Sequence, residues 1–338
     1  MDATPTSHRS PKHRPGLALF AVIGSAWVFV LVTLGAFTTS IAAGMAFPDW
    51  PLSNGSLNPH GWLHNISMFA EHSHRLSAGL MSAITIILAF WIWRTDARAW
   101  LRKLAWFAVG LVLAQAVVGG LRVLLDRYSV KDLQTTVGQL FAMLHACLAQ
   151  LFVCTLIAVA VACTRGWRER AVPVQDRVRR VGVICCVLLF IQLAIAAIMR
   201  HIGAGLAIYS FPYSTPDGHW LPAHWDFRVG IHFAHRAMAL GLTIALPTFV
   251  FLIRRDRGST LAMRAAASAL LSLLVLQILL GAEIILTLRQ PEVTTGHVLV
   301  GALTLATTFW LTWVAHRDRI ESATLPAGVP AAESGARV

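Results

Sequence analysis

Four histidines stand at corresponding places along the chain, each with neighbours that could act with it. "EHSHR" at 71–75 puts Glu71, His72, His74 and Arg75 at the head of one long apolar run, and "HFAHR" at 232–236 puts His232, His235 and Arg236 at the head of another. Single histidines recur further on, His145 in "AMLHACLAQ" and His297 in "TTGHVLVGA". An imidazole in an apolar run either hydrogen-bonds a neighbouring helix or ligates a metal. Ionisable side chains at such depths face the bundle interior and mark functional positions, and four in matching places favour ligation. Two histidines per half, from alternate helices at one depth, suit a planar macrocycle held between facing helices, so the pattern predicts two haem sites. Zinc would need three or four protein ligands, and no cysteine or carboxylate cluster completes that set.

The neighbours differ between the copies. A residue three positions before a ligand shares its helical face, so Glu71 adjoins His74 and His232 adjoins His235. One half has a carboxylate beside its ligand; the other does not. Glu71 reads either as a functional carboxylate beside the ligand or as a helix-start residue favoured by the dipole. Arg75 and Arg236 read either as interface anchors or as partners for haem propionates. Arg200, in "MRHIGAGLA", precedes glycines that allow close approach of a ligand. His72 and His232 read as structural rather than axial, and Gln115 and Gln277 as interhelical polar contacts.

These residues need a membrane to hold them. The chain has 338 residues, is 56% hydrophobic and 13% charged, and that balance lies outside the soluble range. Eight stretches can cross a bilayer, at 16–40, 73–93, 104–125, 137–163, 181–199, 229–253, 265–287 and 294–315, which predicts an all-α integral membrane protein. The first is about twice the length of a signal-peptide apolar core, so it is read as a retained span. A net charge of +12 would suggest nucleic acid in a soluble protein, but 20 of the 28 Lys and Arg fall in alternate segments. The positive-inside rule then gives a multi-pass protein of the cell (inner) membrane, with cytoplasmic termini and the histidines toward the outer side. Nucleic acid is excluded as a partner, membrane lipid is implied, and a homo-oligomer is compatible. All five cysteines (147, 154, 163, 185 and 186) fall inside spans, so no disulfide is expected.

Landmarks recur in order. "AAGMAFPDWPLSNG" and "GAGLAIYSFPYSTPDG" follow helices one and five, and "QAVVG" and "QILLG" lie on helices three and seven. The reading is a duplication: two four-helix bundles at 16–163 and 181–315, a linker at 164–180, and disordered cytoplasmic tails at 1–15 and 316–338. Four-span units keep one orientation, so equivalent residues sit at equal depth.

This combination of eight spans, a four-plus-four repeat, "EHSHR", "HFAHR" and two lone histidines resembles the haem A synthase family over about residues 16–315. The resemblance implies oxidation of the C8 methyl of haem o to a formyl group by successive hydroxylations, supplying haem a for terminal oxidases. It implies that Glu71, His74 and His145 form the substrate haem site in the first half, and that His235 and His297 hold an electron-relaying haem b in the second, with Arg200 beside the cofactor. It further implies a haem o synthase as supplier, an electron donor, and a link to terminal oxidase assembly. Many relatives carry cysteines flanking the motif at 48–55, where this chain has Phe47 and Ser53. The first repeat has "TTSIAAG" where an arginine like Arg200 would be expected. The rival reading is a dihaem b-type electron-transfer protein, for which the two halves should be equivalent.

Overall fold

The computed structural model describes residues 13–131 and 135–323. In chain order the elements are α1 (Pro15–Ser40), α2 (Ile66–Thr95), α3 (Ala99–Leu124), a two-residue hairpin of β1 (Ser129–Val130) and β2 (Thr135–Thr136), α4 (Val137–Cys163) and α5 (Arg165–Glu169). Then follow α6 (Asp176–His201), a 3₁₀ turn at Ala204–Leu206, α7 (Phe227–Arg255), α8 (Leu261–Leu286), α9 (Pro291–Ala315) and α10 (Arg317–Ser322). The eight long helices have 25 to 30 residues and are long and apolar enough to cross a membrane. At about 1.5 Å per residue each spans roughly 37–45 Å, more than the about 30 Å of a hydrocarbon core. Leu240, Ile244 and Leu261 are exposed on the outside of the bundle, as lipid contact requires.

Several helices begin earlier than hydropathy suggests, by five residues or more for α2 at Ile66 rather than 73, α3 at Ala99 rather than 104 and α6 at Asp176 rather than 181. The Asn65 side chain caps α2 by accepting the amides of Ser67 and Met68 at 3.0 and 3.1 Å, leaving those donors satisfied. Polar Glu71 and His72 interrupt the apolar run in sequence but turn inward in the fold, where each is buried. Glu71 therefore lies beyond the first turn of α2, where the helix dipole has little hold on it. Most of both expected tails (1–12 and 324–338) lies outside the described residues. Within the described part, Pro15 already starts α1, and residues 317–322 form α10.

Helices α1 to α4 pack around one another in a ring, each against the next and α1 against α4, and α6 to α9 do the same. The rings meet where α4 packs on α6 and α9, and α1 on α9. Helix α4 is accordingly the most buried of the eight spans, whereas α8 shows most of its surface.

One end of the bundle is tied by charge. Asp96 closes α2 and accepts hydrogen bonds from Arg98 at 3.0 and 2.9 Å and from Arg168. Arg98 also reaches Glu321 of α10 at 3.2 Å, which accepts the Trp167 indole N–H at 2.5 Å. Trp167 in turn stacks on Trp313 of α9 with centroids 5.7 Å apart. Burial raises the Asp96 carboxyl, but hydrogen bonds and charge from Arg98, joined by Arg168, outweigh it and hold the group below its ordinary value. A carboxylate depressed in the fold contributes its full stability above the unfolded pKa of about 3.9 and loses it as pH falls through the folded value. Asp96→Ala removes the buried carboxylate that Arg98 and Arg168 share, while Arg98 keeps Glu321, and should cost about 3 kcal/mol, the lower end for breaking a buried pair. Denaturant unfolding in detergent checks this; a midpoint equal to the parent's would show that the clasp is not a stability element.

Candidate functional site

At the opposite end, the long loop after α1 folds back onto α2. Glu71 Oε2 accepts the Phe47 amide at 3.1 Å and Oε1 pairs with Arg75 at 2.5 Å. Arg75 donates to the carbonyls of Phe47, Asp49 and Leu52 at 3.1, 2.8 and 2.6 Å. Its guanidinium thus closes a loop whose own carbonyls would otherwise be unpaired. His72 contacts Ser53 Oγ at 3.0 Å and meets the edge of Trp62 at 4.7 Å between centroids. Within the loop, burial pushes the Asp49 carboxyl up, but the Gly55 and Asn54 amides and the Arg75 charge outweigh it and hold the group below its ordinary value.

The loop after α6 is held in the same way. Arg236 donates to the carbonyls of Ile208, Ser210 and Tyr213 at 3.1, 2.8 and 3.2 Å, and His232 Nδ1 accepts the Ile208 amide at 3.2 Å. Each of these residues stands 161 positions after its counterpart: His232 after Glu71, Arg236 after Arg75, Ile208 after Phe47. Glu71 and His232 therefore perform one structural task, anchoring the loop amide, with different chemistry. Arg75 and Arg236 read in the sequence as interface anchors or propionate partners; in the fold their hydrogen bonds make them anchors of the loops, a role neither reading named.

The four histidines lie one on each of α2, α4, α7 and α9. His235 and His297 face each other across the second ring with centroids 6.4 Å apart. A metal held midway by two imidazole nitrogens at about 2.0–2.1 Å each would place the ring centres roughly 6.3 Å apart. His145 lies within electrostatic reach of His74. In all four rings Nδ1 is buried with no partner in full hydrogen-bond geometry, although backbone carbonyls of Leu31, Gln115 and Gln277 lie near the His74, His145 and His297 rings.

The surroundings are cut to the rings. A Cβ on Gly35 of α1 would fall 2.8 Å from His74 Cε1, one on Gly119 3.2 Å from His145 Cε1, and one on Gly281 3.3 Å from His297 Cε1. Glutamine amides steady the same helices: Gln115 donates to the His145 carbonyl at 3.0 Å, Gln277 contacts His297 Nε2 at 3.2 Å, and Gln192 donates to the His235 carbonyl at 3.1 Å. Gln115 and Gln277 thus make the interhelical contacts expected of them. Gln192 and Gly35 were not singled out in the sequence, although a lone amide inside the apolar run at 181–199 was a usable signal. Arg200 hydrogen-bonds Ala36 O and Ser40 Oγ of α1 at 2.6 and 2.9 Å, so it crosses from one ring to the other. Paired neutral imidazoles with little else in the donor set fit a macrocyclic metal ligated on both faces better than a bare ion, and among the described residues no group of three or more metal-ligating side chains occurs.

Comparison with known proteins matches residues 18–309 to the family described as cytochrome oxidase assembly protein. The chain is similar to the haem A synthase of Shouchella clausii, with 25% identity over 80% of this chain and 87% of that one. It is likewise similar to that of Halalkalibacterium halodurans, 25% identical over 91% and 99%, and to that of Rhizorhabdus wittichii, 26% identical over 89% and 94%.

Proposed function

The chain belongs to the cytochrome oxidase assembly protein family, and from that premise we propose that it is a haem A synthase, oxidising the C8 methyl of haem o to a formyl group. The observation that carries this reading is the unequal pair of otherwise matching sites: the same loop-anchoring position is Glu71 beside His74 and His232 beside His235. A dihaem electron carrier has no use for that difference. A substrate site and a relay site do. The reading includes a duplication, with residues 16–163 forming the substrate half and 181–315 the cofactor half; the constant spacing of the anchors supports it.

In this proposal His235 and His297 hold haem b, with Arg200 alongside, while His74 and His145 receive haem o. The bound haem b supplies one-electron chemistry between the substrate site and an external redox partner. The chain's own residues do the rest. Apolar helices exclude water around the methyl group, Gly35 and Gly119 let the two imidazoles seat, and Arg75 fixes the loop that covers Glu71. From there the Glu71 carboxylate is placed to hold or move a proton while the methyl is hydroxylated twice, each time exchanging a C–H for a C–OH bond with a two-electron oxidant and an oxygen source from outside the chain, to a geminal diol that loses water to give the aldehyde. The electron donor, a haem o synthase as supplier and the oxidase assembly that consumes haem a complete its setting. Charge bias places both termini in the cytoplasm and the sites toward the outer side; reporters fused at Arg98 and Arg257 should read inside and those at Ser56 and Asp217 outside.

Expression in cells that make haem o, followed by mass analysis of extracted haems, tests the reading: haem a should appear, and its absence despite a filled haem b site would refute it. Gly35→Ala gives a finer check. Its added methyl meets the His74 ring at 2.8 Å and should cut conversion at least about tenfold, because small misplacements of a reacting group are costly. Bound haem b, seated on α7 and α9, should stay at parent level. Loss of haem b in this variant would contradict the division of labour.

A further inference from the structure

Among the described residues, no acidic side chain lies within ion-pair distance of Arg200 or Arg289 at the loop end. Arg122 nearby donates to the Gly44 carbonyl and has Glu71 and Asp126 as charged neighbours. Arg200 commits only Nη2, to Ala36 O and Ser40 Oγ, and Ser40 is in turn held by Thr295 of α9 at 3.1 Å. No described residue accepts from its Nε or Nη1. Arg289 lies in electrostatic reach of Arg200 and is packed beside Gly205, whose Cβ would fall 3.6 Å from Arg289 Nε. Arg200 also acts electrostatically on His297, and His201 has both Arg200 and Arg122 as charged neighbours. The cluster therefore runs along the seam where α1, α6 and α9 meet, from the second histidine pair toward the first. Like charges gathered at the end of membrane helices repel unless an anion sits among them. Arg75 and Arg236 are committed elsewhere, since both terminal nitrogens of each donate to loop carbonyls, and Arg75 pairs with Glu71 while Arg236 Nε donates to His232.

We infer that Arg200 and Arg289, extended by Arg122 and His201, form a carboxylate-binding cradle at the seam between the two helix rings, occupied by the propionates of the haem that His235 and His297 hold. The inference rests on the haem reading above and adds to it the group that anchors the ring edge. Guanidinium to carboxylate is the strong, charge-assisted form of hydrogen bond, and Arg200 ties that contact to α1 of the other ring.

The test uses the full chain made in haem-deficient cells and loaded in detergent with haem b or with its dimethyl ester, which keeps the iron and ring but removes both negative charges. Haem transfer to apomyoglobin is then timed. The parent should release the ester at least about tenfold faster than the acid, because two charge-assisted contacts are lost. Arg200→Gln combined with Arg289→Gln should release acid and ester at similar rates, and Arg200→Lys should restore part of the preference for the acid. Arg289→Gln alone, on the connection outside the helices, should narrow the preference without disturbing the helical spectrum, which guards against a folding defect. Unchanged acid-over-ester preference in the variants would overturn the inference. So would a parent that holds acid and ester equally, the result expected if a lipid phosphate fills the cradle. A parent that takes up neither form would instead remove the haem reading itself, and this inference with it.

Discussion

Replacing His235 or His297 with Ala should strip most low-spin b-type absorbance from the purified protein, whereas replacing His74 or His145 should leave that absorbance and abolish conversion of haem o. In the proposed reading each ring is one of two axial groups at its site, and its loss would remove a bond. Affinity for the macrocycle should fall by about a hundredfold or more, since even outer-shell changes at metal sites cost 10–100-fold. The 6.4 Å spacing of His235 and His297 places both rings where a shared ligand needs them, so neither can substitute for the other. Absorption spectra of the four variants beside haem extraction measure both outcomes at once. If all four lose b-type absorbance equally, the two sites are equivalent and the dihaem electron-transfer reading takes over.

Glu71→His should keep the fold and the haem b spectrum yet reduce conversion about a hundredfold or more, the usual range for loss of a positioned acid or base. The substitution is chosen because the second half already carries it. His232 accepts the Ile208 amide and receives Arg236, as Glu71 accepts the Phe47 amide and receives Arg75. Histidine at 71 can therefore anchor the loop without supplying a carboxylate. Accumulation of the hydroxymethyl haem in this variant would place Glu71 at the second oxidation. A variant that converts haem o as fast as the parent would reduce Glu71 to a loop anchor and nothing more.

The eight spans were legible because the bilayer demands long uninterrupted apolar runs, and helices α1 and α4 fall within a residue of the expected limits. The start of α2 was misplaced where polar residues interrupt the apolar run: Glu71 and His72 read as the helix start, but the Asn65 cap begins α2 at Ile66 and the loop contacts hold both residues inside it. The four histidines proposed as ligands stood out because imidazole is rare at such depths. Their supports were not. Gly35 is one glycine among many in apolar sequence, and only the approach of α1 to His74 gives it meaning. Arg75 and Arg200 look alike in sequence, each an arginine at the loop end of a span, and nothing local distinguishes a guanidinium filled by three carbonyls from one with donors to spare. That difference depends on where the loop at 41–65 folds back, a long-range matter that spacing along a helix does not encode. The short helix α10 was hidden for the same reason, since its place is set by contacts of Glu321 and Asp318 with residues about 150 to 220 positions earlier.

The most direct measurement supplies purified, haem b-loaded protein with haem o and a redox partner, then follows the substrate by mass over time. The hydroxymethyl form should rise and decay into the formyl product, with haem b unchanged, and Glu71→His protein under the same conditions should stall. Haem o recovered unaltered from a preparation whose b-type spectrum is intact would contradict the proposed reaction.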